Sequence, residues 1–311
     1  MKAIHFSAYG GPEVLTYGEF PEPELAPDQV LIEVHAVSVA PSDWLVRAGH
    51  LQHIFPQTFP TIPGRDGSGV VVEVGAAADF ARVGDEVVFK VGHVELGSYA
   101  ELIARPRDMV VAKPANVSHV EAASGGHAGT CAWIGLVREA QLGAKMKVLI
   151  HGGAGAIGGL SLQLAKHLGA TPIITTCRAA NVDYVRSIGA DVAIAYDEED
   201  FRDHVQNCAV VFDLVGGVVH DRSYAVLKPG GVMTWLIAEP FESRASKFDM
   251  VERQAVIDDD PAALQAVMEL LGAGALKPQV VKVMPLAAAA EAQALLEAGA
   301  VSRGRIVLEV R

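Results

Sequence analysis

The sequence predicts an α/β protein in two parts. One is a doubly wound parallel sheet; the other is a β-rich module that opens the chain and is completed by its end. Three observations predict this. Val148-Leu149-Ile150 runs into a glycine-rich break and then into a stretch of helical period. Past residue 121, strand-like and helix-like stretches alternate, as parallel strands joined by crossover helices do. Before residue 120 the strands are short, alternate at period two and are cut by glycine and proline, which reads as a barrel-like module.

Taken in order, Met1 to Phe6 reads as a first strand, and Gly10-Gly11-Pro12 and Pro21-Glu22-Pro23 punctuate it. Val30 to Val39 alternates, with Glu33 and His35 on one face. Val70 to Val74, Glu86 to Lys90 and Tyr99 to Ile103 are further short strands. Val120 to Ala140 has helical character. Strands then follow at 148–151, 172–176, 192–194, 210–212 and 232–237. Helices lie between them at 155–168, about 180–188 and about 219–227. Asp260-Pro261 supplies an N-cap and a proline at the first helical position, opening a helix to about Leu271. Val280 to Val283, a helix over 288–298 and Ile306 to Leu308 end the chain. This last strand is expected to rejoin the first module. The boundaries expected are 1–120, completed by 275–311, for the β-rich domain and 121–274 for the parallel-sheet domain.

The chain is organised around Lys147 to Ala170. Inside the break, Gly153-Ala154-Gly155-Ala156-Ile157-Gly158 has the spacing G-x-G-x-x-G. Such spacing allows a tight turn after the strand, close approach of backbone to a pyrophosphate, and close packing of helix on strand. The free amides and positive dipole end of the helix face the anion. The alternative is a packing turn with no ligand. The following strand and helix at βαβ distance favour a dinucleotide. An NAD-selective site ends its second strand in a carboxylate for the ribose 2′-hydroxyl. Here Thr176 stands at that place, and Arg178 follows on the loop. A guanidinium there suits a 2′-phosphate, so NADPH is the expected cofactor.

The net charge of −12 argues against nucleic acid or an anionic membrane as partner. Three scattered cysteines, Cys131, Cys177 and Cys208, fit a reducing compartment, with no disulfide framework and no cysteine-based zinc site. Met1 to Gly11 lacks the apolar core of a secretory signal, and no apolar run reaches the length of a membrane span. A cytoplasmic protein is therefore expected.

Seven segments, in this order, then carry a resemblance. They are Ala40-Pro41-Ser42-Asp43-Trp44, Ile62 to Val70, Val83 to Val88, Gly97 to Glu101, Gly129 to Trp133, Leu227 to Gly231 and Gly304 to Leu308. The sequence resembles the zinc-free quinone oxidoreductase branch of the medium-chain dehydrogenase/reductase superfamily over nearly its whole length. The resemblance implies a Rossmann-type nucleotide domain and a GroES-like β-rich catalytic domain. It implies cofactor contacts at Gly153, Ala154, Gly155, Ala156 and Ile157, at Thr176 and Arg178, at Tyr196 beside the adenosine phosphate, at Cys131, Leu236 and Ile237 near the nicotinamide, and at Arg305. It also implies a homodimer. The zinc-dependent relatives carry a catalytic Cys at Ala40, a His-Glu pair at Arg65-Asp66 and a second Cys near His127. One imidazole holds no catalytic zinc, so no metal is expected.

Near the substrate the sequence departs from the family. Ala40 replaces an Asn, and Leu45 and Leu51 replace tyrosines. That leaves an apolar pocket whose nearest polar residues are Ser42, His50 and His53, none of them assigned a catalytic role. The expected activity is hydride transfer from NADPH to a quinone or an α,β-unsaturated carbonyl. Competing readings are an enoyl or alkenal double-bond reductase, a low-turnover NADPH-binding sensor, and a Rossmann domain with another ligand.

Overall fold

The computed structural model describes residues 1–236, 243–257 and 260–311. Its first half is strand-rich. β1 (Lys2–His5) and β2 (Thr16–Glu19) form an antiparallel hairpin. β3 (Gln29–Val39) is the long alternating strand, its burial switching residue by residue until its end is wholly covered. α1 (Pro41–Arg47) follows, with proline in its first turn. β4 (Asp66–Val74), β5 (Glu86–Lys90), β6 (Leu102–Pro106) and β7 (Val110–Ala112) complete this half.

α2 (His119–Trp133) opens the second half and runs into a wider π turn over Ile134–Glu139. The alternation then begins with β8 (Val148–His151), α3 (Ala156–His167), β9 (Ile173–Cys177), α4 (Val182–Ser187) and β10 (Val192–Ala195). It continues with β11 (Cys208–Asp213), α5 (Val218–Ser223) and β12 (Leu227–Trp235). α6 (Ala245–Phe248) and β13 (Val251–Gln254) come next, then α7 (Pro261–Gly272). β14 (Val280–Pro285), α8 (Ala289–Glu297) and β15 (Arg305–Glu309) end the chain.

Six strands form one parallel sheet in the order β10-β9-β8-β11-β12-β13. The order reverses between β8 and β11, and such a switch point opens a crevice at the carboxyl ends of the strands. β8 and β11 are buried on both faces, as strands covered by helices on each side must be. The other large sheet runs β14-β15-β3-β4-β5-β7, with β6 on the far part of β3. β15 lies antiparallel to β3, so the end of the chain does rejoin the first sheet.

α2 joins the two sheets. It packs against α3 and α7 on one side and against β3, β4, β5 and β15 on the other. Its sequence explains how: Ala122, Ala123, Ser124, Gly125, Gly126, Ala128 and Gly129 are all buried. A Cβ on Gly129 would sit 2.4 Å from Val267 of α7. Small residues let three layers close on one helix. The capping box of Ser118 and Glu121 fixes where it starts.

Several sequence expectations shift. β2, β7, β13 and α1 have no counterpart in the reading above. Asp260 does cap α7, accepting the Ala263 N–H at 3.0 Å. The strand expected to end at Ile237 ends at Trp235, and Ile237 lies outside the described residues. Among the described residues no helix is long and apolar enough to cross a membrane.

Candidate active site

The switch point falls at the glycine turn. β8 delivers the chain to Gly152, whose φ of +73° places the left-handed turn there, one residue before the G-x-G-x-x-G spacing begins. Gly153 is needed for packing: a Cβ would lie 2.0 Å from Thr175 Oγ1. Gly158 is needed for helix-on-strand packing, since its Cβ would lie 2.2 Å from the Gly152 carbonyl oxygen. Gly155 faces outward; its Cβ would meet nothing nearer than 3.5 Å. It is also the N-cap of α3, and no side chain caps that helix. The leading amides of α3 therefore face the crevice at the end an anion favours. Ala156 and Ile157 are half-buried beside it, and Ala154 is buried. The Ala154 carbonyl accepts the Gly304 N–H at 2.9 Å, so the loop that leads into β15 is bonded to the turn.

At the next strand end, Thr176 is buried and its hydroxyl is committed to the turn. It bonds His151 Nδ1 at 3.0 Å and accepts the Gly152 N–H at 3.3 Å. Arg178 and Tyr196 are both exposed, and Arg178 Nε donates to Tyr196 Oη at 3.1 Å. Two residues singled out separately in the sequence thus form one pair. Asp197 accepts the Ala179 N–H beside them at 2.9 Å, a neighbour the sequence did not single out.

The β-rich side contributes a buried polar cluster. Asp66 at the start of β4 accepts Ser38 Oγ–H at 2.5 Å on one oxygen and the His127 N–H at 2.9 Å on the other. Arg305, 3% exposed, donates to Ser38 Oγ at 2.8 Å and lies 3.9 Å from Asp66. It is a buried interior cation held by its neighbours. Burial raises the Asp66 carboxyl, and Arg305, Ser38 and the His127 amide oppose the rise. Cys131 Sγ sits 3.6 Å from His127 Nε2, and burial pushes its thiol up to about 12. Burial and the cations Arg305 and Arg65 keep His127 well below the ordinary histidine range. Arg65 Nη2 donates to His93 Nδ1 at 2.8 Å. Asp43 accepts the Ala40 N–H at 2.8 Å and Tyr99 Oη–H at 2.9 Å, and burial raises it to about 6.

Leu236, just past β12, packs beside Ile134 and Trp133 at the end of α2. Among the other polar candidates, His50 stands edge-on to Trp44, Ser42 is half-buried in α1, and His53 is exposed. The sequence reading missed a second polar set at the strand ends. His151 Nε2 meets Ser223 Oγ at 2.9 Å. Asp213 accepts the Val215 and Gly216 amides at 2.9 and 3.0 Å and pairs with His220 Nδ1 at 2.9 Å. The available signal was a polar residue ending each buried apolar run, at His151 and Asp213. A separate groove lined by Lys166, Tyr184, Lys277 and Gln279 touches the C-terminal end of α3, away from the glycine turn, and holds none of these residues.

The donor set does not suit zinc. Among the described residues, no three His, Cys, Asp or Glu side chains are gathered to hold a metal. At the positions where a zinc-dependent relative holds its ion stand Ala40, the Arg65 cation and Asp66, already bonded to Ser38 and the His127 amide.

The site residues do suit a dinucleotide, and comparisons with known proteins bear on which kind of protein this is. The alcohol dehydrogenase GroES-like domain model matches residues 26–115, and the zinc-binding dehydrogenase model matches residues 188–308. The NADPH-dependent alkenal/one oxidoreductase of Arabidopsis thaliana chloroplasts is 38% identical over 239 residues, covering 74% of this chain and 61% of that protein. The chain spans about three fifths of the length of the curated relatives it matches first. Solved structures match throughout, two quinone oxidoreductases among them. The quinone oxidoreductase of Coxiella burnetii has a TM-score of 0.90 at 32% identity, covering 100% of this chain and 99% of that one. The Escherichia coli quinone oxidoreductase complexed with NADPH has a TM-score of 0.89 at 25% identity, covering 100% of both chains.

Proposed function

This chain belongs to the quinone oxidoreductase branch of the medium-chain dehydrogenase/reductase superfamily, and from that premise we propose that it reduces quinones or α,β-unsaturated carbonyls with NADPH, without zinc. One observation supports the reading: the uncapped helix N-terminus at Gly155 follows β8, and the exposed Arg178–Tyr196 pair follows the neighbouring parallel strands β9 and β10, at the same end of the sheet. The turn amides receive the pyrophosphate, and Arg178 receives the ribose 2′-phosphate with Tyr196 steadying its guanidinium. Bound nicotinamide supplies the hydride. In this reading Cys131, Leu236 and Arg305 serve the nicotinamide end; Arg305 is fixed by Ser38 and Asp66, and Cys131 stays a neutral thiol. The buried cations Arg65, Lys90 and Arg305 favour an oxygen that gains electron density.

The enone arm is supported by the likeness to an alkenal/one oxidoreductase, the quinone arm by the Coxiella and Escherichia coli structures. The test is NADPH and NADH oxidation measured side by side, with a quinone and an enone, in EDTA. Turnover with NADPH that EDTA leaves intact is expected; activity abolished by EDTA overturns the zinc-free reading. Arg178→Ala is expected to weaken NADPH binding about 10- to 100-fold, the size of a charge-assisted hydrogen bond, and to leave NADH unaffected. Equal losses for both cofactors would contradict the assignment of Arg178. The same proposal includes a division into 1–120 with 275–311 and 121–274, a homodimer and a cytoplasmic location. A single species of monomer mass in sedimentation would remove the dimer, and recovery in an organelle fraction would remove the location.

A further inference from the structure

The β-rich half contains a hydrogen-bond donor whose orientation is fixed by a cation. Backbone pairing of Val91 N–H with the Arg65 carbonyl at 2.9 Å sets the loop after β5 against the segment that opens β4. On that loop, His93 is half-buried and stacks on Phe55, with ring centroids 4.0 Å apart and planes 9° from parallel. Its backbone carbonyl accepts Gln57 Nε2–H at 2.9 Å, so ring and backbone are both held. Arg65 Nη2 lies 2.8 Å from Nδ1. A guanidinium can only donate, so Nδ1 is the acceptor and the ring proton sits on Nε2. Burial and the Arg65 charge hold the imidazole down to about 3, so it is neutral at physiological pH. Among the described residues Nε2 has no hydrogen-bond partner, and it is not sealed from the surface.

The donor stands with the polar cluster: His93, Arg65 and Arg305 all lie within electrostatic reach of His127, whose Nε2 is 3.6 Å from Cys131 Sγ. Arg65 is followed by Asp66, which holds Ser38 and Arg305; Arg305 follows Gly304, whose N–H bonds Ala154 in the glycine turn. We propose that His93 presents its Nε2–H to the carbonyl oxygen of the reducible substrate, and that Arg65 is the positioning residue that fixes its tautomer. The proposal rests on the reductase reading above. In an enone, the β carbon accepts hydride and a new C–H bond forms. The C=C pair shifts toward the oxygen, which becomes an enolate oxygen, and His93 Nε2–H hydrogen-bonds that oxygen. The nicotinamide is oxidised by two electrons, the substrate is reduced by two, and water protonates the α carbon. His93 gives up no proton, because its neutral ring would have to become an anion to do so.

His93→Phe keeps a ring on Phe55 and deletes the donor; His93→Gln restores an N–H at similar reach. Three measurements decide: NADPH binding by cofactor fluorescence, kcat and KM for an enone, and the Kd of a saturated ketone, which is not reducible, in the presence of NADP+. His93→Phe is expected to bind NADPH as the parent does, to lose at least tenfold in kcat/KM, and to bind the ketone several-fold more weakly. His93→Gln is expected to recover most of both losses. NADPH binding with undiminished enone turnover in His93→Phe overturns this inference alone. So does a His93→Gln variant as impaired as His93→Phe, which would mark the residue as structural. A parent protein that binds no NADPH overturns both this inference and the reading it rests on.

Discussion

Replacing Gly153 by alanine sets a methyl group 2.0 Å from Thr175 Oγ1, inside the packed base of the turn. Overpacking of this kind costs about 1–3 kcal/mol, so Gly153→Ala should lower the thermal midpoint and weaken cofactor binding together. Gly155 has an extended backbone at φ −68°, and a Cβ there would make only an ordinary contact, 3.5 Å from the Gly152 carbonyl oxygen. Gly155→Ala should therefore leave the thermal midpoint unchanged while NADPH affinity falls. Calorimetry and a fluorescence titration on both variants separate the two roles; matching losses of stability would show that Gly155 packs as Gly153 does. At this scale the sequence was informative where chemistry is local. G-x-G-x-x-G and Arg178 were singled out by position, and Tyr196 by the family resemblance. The Arg178–Tyr196 bond was not, because it depends on the parallel pairing of β9 with β10. Arg65 was singled out only as the absence of a zinc ligand, since its contact with His93 spans two loops.

Among the elements, α2 has the most to hold, because the core of the parallel sheet and the barrel strands both close on it. Its start depends on Ser118, whose Oγ accepts the Glu121 N–H at 3.2 Å while Glu121 returns a bond to the Ser118 N–H at 3.0 Å. Ser118→Ala should cost about 1 kcal/mol. In a chain of 311 residues, at roughly 2.1 cal/mol/K of unfolding entropy per residue, that is about 1–2 °C in Tm, with NADPH affinity unchanged because the cap is remote from the turn. An unaltered Tm in a thermal melt would argue that packing alone positions α2. The sequence showed this helix and α3, α7 and α8, whose apolar spacing or caps are strong. It missed β13 and β7, strands of four and three residues, too short to show an alternation. It also missed α1, a helix of seven residues opened by Pro41 and too short to show an apolar period.

For the whole molecule, burial of acids in the β-rich half sets a pH dependence. Asp43 is 2% exposed, and its carboxyl is raised to about 6, chiefly by burial. Below about pH 4 it is protonated in both the folded and unfolded chain. Between about pH 4 and about 6 only the folded chain keeps the proton, so stability falls as pH rises through this window. Above it both states are ionised, and the folded state bears the full cost, about 3 kcal/mol. Asp43→Asn retains an oxygen to accept from Ala40 and Tyr99. Urea unfolding of this variant should lose that slope and match or exceed the parent at pH 7. A parent-minus-variant difference that stays flat from pH 4 to 7 would place the Asp43 charge elsewhere.

The sequence by itself determined the alternation that builds a parallel sheet, the glycine spacing at its switch point, the missing zinc ligands and the family. Each of these is written in neighbouring residues or in a motif a few residues long. Tertiary structure alone decided which strand of the first module β15 pairs with, namely β3, and that Arg305 becomes an interior cation bonded to Ser38. It alone decided that the φ-positive turn falls on Gly152 and that Arg65 fixes the ring of His93. The physical reason is distance along the chain. A hydrogen bond between Arg305 and Ser38 joins residues 267 apart, and no local propensity records it. It forms because a buried charge must find partners, and only the closed fold offers them.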